Sequence, residues 1–230
     1  LMLQLFFVEE IKSPKLIGDD AHHAERVLRM KSGEELLVSD GAGSWARCRI
    51  TYISKKETQL EILESGAEVP PESEISVLQA LPKSDRAREA VELLTAAGAT
   101  NIYPWQAARS IGKESDKWQS YSIEASKQSR RFFIPKVNEK LNTEGALELC
   151  KEFDQILICH ESATQKLTEV VKPAKQTLII IGPEGGISDE ELEKFESAGG
   201  KSLKLGRPIL RSAHAGIAAI SAVSAAMKVW

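Results

Sequence analysis

The rhythm of hydrophobic and polar positions changes near residue 70. Before it, apolar and polar residues alternate in short runs. LQLFFV, ELLVS, WARCRITYI and ETQLEIL read as strands, and Asp40-Gly41-Ala42-Gly43 reads as a hairpin turn. One stretch departs from this: Asp19-Asp20 cap a short helical piece, AHHAERVLRM, with Ala24, Val27, Leu28 and Met30 on its apolar side. The pattern predicts a small antiparallel sheet or barrel. The segment SGAEVPPESE, residues 65–74, holds Gly, two prolines and acids without periodicity. It reads as a linker, giving domains over 1–70 and 75–230.

Beyond the linker, apolar strands alternate with amphipathic helices. ISVLQAL, ATNIYPW, QILICHE, TLIIIG and SLKLG are the strands. DRAREAVELLTAAG, SDKWQSYSIEASKQSRRF, TEGALELCKEF, SATQKLTEVV and SDEELEKFESAG are the helices, and a last one starts near Ser212. Strands apolar at nearly every position predict a parallel sheet covered on both faces, an α/β domain. The last helix, HAGIAAISAVSAAMKVW, is small or apolar all the way round. Such a helix is expected to be buried on every side, in the core or, preferably, against a second subunit of a homodimer.

Composition adds limits. The 230 residues are 42% hydrophobic and 27% charged, an ordinary globular balance. No apolar run is long enough to span a membrane, and LMLQLFFVEE lacks the regions of a signal peptide. Cys48, Cys150 and Cys159 stand apart, with no CxxC pair. A reducing, cytoplasmic setting is expected, without disulfides or a metal site. Net charge is −3, but the middle of the chain, residues 75–140, carries 11 basic against 7 acidic side chains. That is an anion-facing patch if those side chains share a face, and a solvated surface otherwise.

Candidate chemistry concentrates after the third apolar run. IIIGPEGGISDEEL places a Gly-rich turn between a strand and a helix whose start is fixed by the capping box Ser188/Glu191. Phosphate is excluded there. No GxxxxGK[ST] or GxGxxG is present, and Asp189, Glu190 and Glu191 already occupy the positive end of the helix dipole. The turn suits a neutral or cationic ligand approached closely by backbone; the bland alternative is a tight connection that holds nothing. ILICHE and LKLGRPILR bring two more strand ends to the same edge of a parallel sheet. Arg211 leads into the buried last helix, where an unpaired cation is costly, so it is expected to meet an acid, a substrate or a partner subunit.

IIIGPEGG, then LGRPILR, then a small-residue helix resembles the RsmE-type 16S ribosomal RNA uracil-N3 methyltransferases of the SPOUT superfamily. AHHAERVLRMKSGEELLVSDGAG resembles their N-terminal PUA-like RNA-binding barrel. LPKSDRAREAVELLTAAGATNIYPWQAARS and EASKQSRRFFIP resemble parts of their catalytic domain. The resemblance implies a trefoil-knotted domain, S-adenosyl-L-methionine as cofactor, and a homodimer acting on 16S rRNA in the small ribosomal subunit. It implies cofactor contacts from His160 and Glu161, from Ile181, Gly182, Pro183, Glu184, Gly185 and Gly186, and from Leu205, Gly206, Ile209 and Leu210. Arg211 and Arg109 are the candidate catalytic cations for charge on the uracil oxygens. Glu184 and His214 are candidate proton acceptors. Arg29, Lys83, Arg86, Gln128, Arg130 and Arg131, with Arg109, are candidate RNA contacts. His22-His23 read as packing or RNA contact, and Trp45, Trp105 and Trp118 as core or boundary residues.

Two departures stand out. The family commonly reads Leu-Gly-Pro-Arg before the Leu-Arg, where this chain has Gly206-Arg207-Pro208. Many relatives then have Thr-Glu-Thr, where Ser212-Ala213-His214 stand here. Two rival functions stay open: methylation of another RNA, and a non-catalytic ribosome-assembly factor that binds RNA and S-adenosylmethionine.

Overall fold

A computed structural model describes residues 3–230, apart from the side chains of Ser84 and Asp85. The chain forms two compact units: Leu1–Pro70 with Ser126–Ile134, and Pro71–Ala125 with Pro135–Trp230. The first unit therefore takes a second visit from the chain, which alternation along the sequence did not signal.

The first unit is a five-stranded sheet of β1 (Leu5–Phe7), β2 (Lys15–Ile17), β3 (Glu35–Ser39), β4 (Ser44–Ile53) and β5 (Glu57–Ala67), in the order β1-β3-β4-β5-β2. Three of its pairings are antiparallel, as alternation and the turn at Asp40 predict. β1 instead runs parallel to β3. The two are joined through β2 and the helical piece, and no tight hairpin forces them to oppose. Phe6, Leu16, Leu36, Val38, Ala46, Cys48 and Ile50 form the core. β5 continues through Gly66, opposite Trp45, so the expected linker begins as strand. The helical piece is α1 (Gly18–His22) followed by one π-helical turn, His23–Val27, and Arg29 then has φ +55°. Ala21 of α1 and Ala24 of the wider turn are buried, but Val27 at the end of that turn is 60% exposed, against the expectation of an apolar position.

The returning segment clasps the turn at Asp40–Gly43. Phe132 stacks on Trp45 with ring centroids 5.6 Å apart and planes 15° from parallel. Gly43 N donates to Phe132 O at 3.0 Å and Ile134 N to Gly41 O at 2.9 Å.

The second unit contains β6 (Glu74–Ala80), α2 (Ser84–Ala96), β7 (Asn101–Trp105), α3 (Trp118–Ser129, its end belonging to the first unit), β8 (Lys136–Val137), α4 (Thr143–Cys150), β9 (Gln155–Cys159), α5 (Leu167–Val170), β10 (Gln176–Ile181), α6 (Asp189–Ser197), β11 (Lys201–Leu203) and α7 (Ser212–Ala226). Its strands lie in the order β11-β9-β10-β6-β7-β8, with every pairing parallel. The strand residues alternate between two cores. Val77, Leu157, Ile179 and Ile181 face one with Leu94, Ile220 and Val223; Leu78, Ile158, Leu178 and Ile180 face the other with Ala146 and Phe195. An apolar residue at every strand position is what two covered faces demand. Trp105 and Trp118 are both buried in these cores.

Within a single chain the last helix is covered along one face. α7 buries Ser212, Ala213, Gly216, Ala219, Ile220, Val223 and Ser224 along one face, while Ile217, Ala218, Ser221 and Ala222 are half-buried and Ala225 and Ala226 exposed. Within one chain it is not buried all round. Its inner face lies close on α2: a Cβ on Gly216 would collide with Leu94. No helix of the described residues is long and apolar enough to cross a membrane.

Candidate active site

Parallel strands bring their carboxyl ends to one edge, so the segments after β9, β10 and β11 meet there. A cavity of about 270 Å³ lies between them. Its wall takes Cys159, His160 and Glu161 from the first segment, Ile181 through Glu184 with Gly186 from the second, and Ile209, Leu210 and Arg211 from the third. A smaller recess beside it adds Leu205 and Gly206. The residues expected to form one ligand site are therefore together, save Gly185, which faces Arg109.

Gly186 closes the turn. Its N–H donates to Pro183 O at 2.9 Å and its φ is +74°, a conformation that costs any other residue. A Cβ there would lie 3.4 Å from Glu161 Oε1. The carboxylate thus stands against bare backbone, an acidic wall suited to a cation. Burial pushes the Cys159 thiol up to about 12, which disfavours its thiolate.

Glu191 does more than cap α6. It is only 4% exposed and accepts four hydrogen bonds. Oε1 takes Ala108 N at 2.8 Å and Thr143 Oγ1 at 2.9 Å; Oε2 takes Ser188 Oγ at 2.8 Å and Ser188 N at 3.2 Å. Burial raises its pKa, yet the bonds from Ala108, Ser188 and Thr143 outweigh that and hold the carboxyl below its ordinary value. Arg109, next to Ala108, is thereby held over the Gly-rich turn and donates Nη1 to Gly185 O at 3.2 Å. The capping-box spacing announced the bond to Ser188; nothing in the sequence announced the other two partners.

Gln79 was also not anticipated. It is the penultimate residue of β6, fully buried, and donates Nε2 to Ser212 Oγ at 3.0 Å; Ser212 Oγ donates to Gly182 O at 2.7 Å. An amide in a doubly covered, largely apolar strand is the available signal, since a buried amide group seeks hydrogen-bond partners.

Of the partners expected for Arg211, an acid of the same chain is not found: the residue is the exposed N-cap of α7 and makes no ion pair among the described residues. A cation at the positive end of a 15-residue helix is disfavoured by the dipole, so its place there does not serve the helix. Glu184 Oε1 accepts Lys83 N at 3.2 Å, at the start of α2, so this acid is engaged as a helix cap. His214 Nε2 lies 3.0 Å from Glu89 Oε1, and Arg86 Nη1 donates to Glu89 Oε2 at 3.1 Å.

The expected RNA contacts divide between the units. In the first unit, Arg29 and Gln128 are exposed. Arg130 is engaged internally, its Nε donating to Leu3 O and its Nη1 to Lys127 O, each at 2.6 Å. Arg131 is half-buried, and burial pushes its guanidinium down to about 10. Both depart from a free phosphate-binding surface. In the second unit Lys83 and Arg109 are exposed, and Arg86 is paired with Glu89.

Known proteins place this arrangement. A model of the RNA methyltransferase domain matches residues 69–224, and a model of the RNA methyltransferase PUA domain matches residues 16–63. Ribosomal RNA small subunit methyltransferase E of Mycobacterium bovis is 32% identical over 247 aligned residues, covering 100% of this chain and 94% of that protein. The chain belongs to the ribosomal RNA small subunit methyltransferase E family. The methyltransferase E of Bacillus subtilis is 28% identical, over 94% of this chain and 91% of that one. A methyltransferase E from Neisseria gonorrhoeae, in a crystal structure bound to S-adenosyl methionine, matches at a TM-score of 0.89 and 26% identity, covering 100% of this chain and 98% of the other. A putative methyltransferase from Legionella pneumophila, in complex with the same cofactor, matches at 0.85 and 25% identity, each chain 98% covered.

Proposed function

We propose that this methyltransferase E family member transfers the methyl group of S-adenosylmethionine to N3 of one uridine in the 16S rRNA of the small ribosomal subunit. The observation that carries the reading is the cavity at the three strand ends, lined by Glu161 beside Gly-rich backbone and by Arg211. The wall fits the cofactor. The acids that open α6 disfavour phosphate, S-adenosylmethionine has none, and Glu161 complements a sulfonium cation. When bound, the cofactor supplies a methyl group already activated for transfer.

The chain's own residues do the rest. Ile181, Gly182, Pro183 and Gly186, with His160, Glu161, Leu205, Gly206, Ile209 and Leu210, hold the cofactor and exclude water from it. Arg211, with Arg109 as a second cation, stabilises the negative charge that spreads onto the uracil oxygens as N3 loses its proton. Placement in a dry site accounts for much of the acceleration, since effective molarity contributes roughly 7–11 kcal/mol at most. The half-buried face of α7 around Ile217, Ala218, Ser221 and Ala222 supports a homodimer contact, its small side chains permitting close approach.

The decisive assay mixes the protein with labelled S-adenosylmethionine and small subunits from a strain lacking the modification, then digests the 16S rRNA for mass spectrometry. A single 3-methyluridine is expected. Methylation at another atom, or of another RNA, overturns the assignment of atom or substrate. Cofactor binding without transfer favours an assembly factor.

A further inference from the structure

A second cavity, of about 290 Å³, adjoins the first. The two share Glu184, Arg211 and Ser212 as a common wall. Transfer of one carbon needs two adjoining sites that meet at a point, one for the donor and one for the acceptor. The second cavity is bounded otherwise by Lys83, Arg86, Glu89, Ile111 and Ala213. Its cations and its two apolar side chains suit a flat ring that carries carbonyl oxygens.

One wall is ordered by a chain of three side chains. His214 Nε2 lies 3.0 Å from Glu89 Oε1, and Glu89 Oε2 accepts from Arg86 Nη1 at 3.1 Å. Each carboxylate oxygen has its own partner, so the imidazole fixes the carboxylate and the carboxylate fixes the guanidinium.

We propose that this second cavity receives the acceptor base, that Arg86 reads a carbonyl oxygen beside its reactive nitrogen, and that Glu89 and His214 are positioning residues that aim Arg86. The inference rests on the uridine reading above. Uracil presents two carbonyls around N3, and Arg86 and Arg211 stand as cations for them. Cytosine would turn an amino group toward one of those cations and be refused. The base reaches the cavity only after leaving its stack.

The test uses the full-length protein, S-adenosylmethionine and unmodified small subunits, with kcat and KM for RNA measured beside cofactor affinity and melting temperature. Arg86→Gln is expected to lower kcat/KM by roughly 100-fold, comparable to removing one donor to a developing oxyanion. His214→Ala is expected to lose roughly 10-fold, as supporting residues do, with His214→Gln restoring most of it through a donor placed like Nε2. Because His214 acts through Arg86, the double variant Arg86→Gln/His214→Ala should be no worse than Arg86→Gln alone. Additive losses, an unaffected Arg86→Gln enzyme, or losses that follow cofactor affinity or melting temperature would overturn the proposal. The wild-type product is a separate readout: an enzyme that makes 3-methyluridine while these variants stay unaffected sinks only the acceptor cavity, whereas a wild type that makes none sinks the uridine reading and the cavity with it.

Discussion

Glu191 joins three segments that are far apart in sequence, and it does so ionised and buried. Replacing it by Gln turns an NH2 group toward either Ala108 N–H or Ser188 N–H, so a buried donor loses its acceptor. Glu191→Gln should lose about 1–3 kcal/mol of stability in denaturant unfolding. The pH dependence has a definite sign. A carboxyl whose folded pKa lies below its unfolded value stabilises fully above the unfolded value, roughly 4.3, and that contribution disappears as pH falls through the folded pKa. Wild-type melting temperature should therefore drop below about pH 4 more steeply than that of Glu191→Gln. Equal slopes would mean the carboxyl is not held low in the folded chain. Arg211 gives the matching functional prediction. As an exposed N-cap outside any ion pair among the described residues, it can be cut to Ala at little structural cost. Arg211→Ala should lower kcat roughly 100- to 1000-fold with the melting temperature nearly unchanged; full turnover would remove its electrostatic role.

At the level of elements, α7 is set by small side chains. Gly216 lets it lie against Leu94 of α2, and Ser212 at its start ties Gly182 to Gln79. Gly216→Val must push the helices apart, and a loss of about 1–3 kcal/mol on unfolding is expected. A neutral substitution would mean that the α2–α7 contact tolerates the extra volume. The doubly covered strands and most helices were legible in sequence because an apolar run at every position has one good explanation. The misses have physical causes. SATQKLTEVV carries helical residues but forms only the four residues of α5. The helix at Ala21–Met30 widens into a π turn, which no local pattern encodes. The three loops of the candidate site were legible for a different reason: Gly-Pro-Glu-Gly-Gly and Leu-Gly-Arg-Pro break strands at one edge of a parallel sheet. Gln79 and Glu89 were not, since their partners lie 133 and 125 residues away.

For the whole molecule, net charge says little, and its distribution says more. Candidate RNA contacts occur in both units, so RNA affinity should fall steeply with salt, by about 0.7 to 0.9 log units per tenfold salt for each phosphate neutralised. Titrations at two or more salt concentrations check this, and a flat response would count against phosphate contacts. A homodimer should sediment at about twice the 25.3 kDa of one chain, and a monomeric mass at micromolar concentration would leave the outer face of α7 without its proposed partner. The partition into units was only partly legible. The proline-containing stretch near residue 70 marks one crossing, while the residues that return, 126–134, begin inside helix α3 and run on past its end at Ser129, with no break in the sequence where they enter.

That return governs how the protein is made. Trp45 and the turn at Asp40–Gly43 find their partners in Phe132, Phe133 and Ile134, which leave the ribosome long after them. A nascent chain of seventy residues can pair β3 with β4 and β5 but cannot close the unit they belong to. The N-terminal unit therefore waits, with its indole resting on Gly66 but lacking its stacking partner, until Phe132 has been synthesised. A fragment cut at the linker would leave that ring without Phe132 permanently, however faithfully it followed the apparent domain boundary.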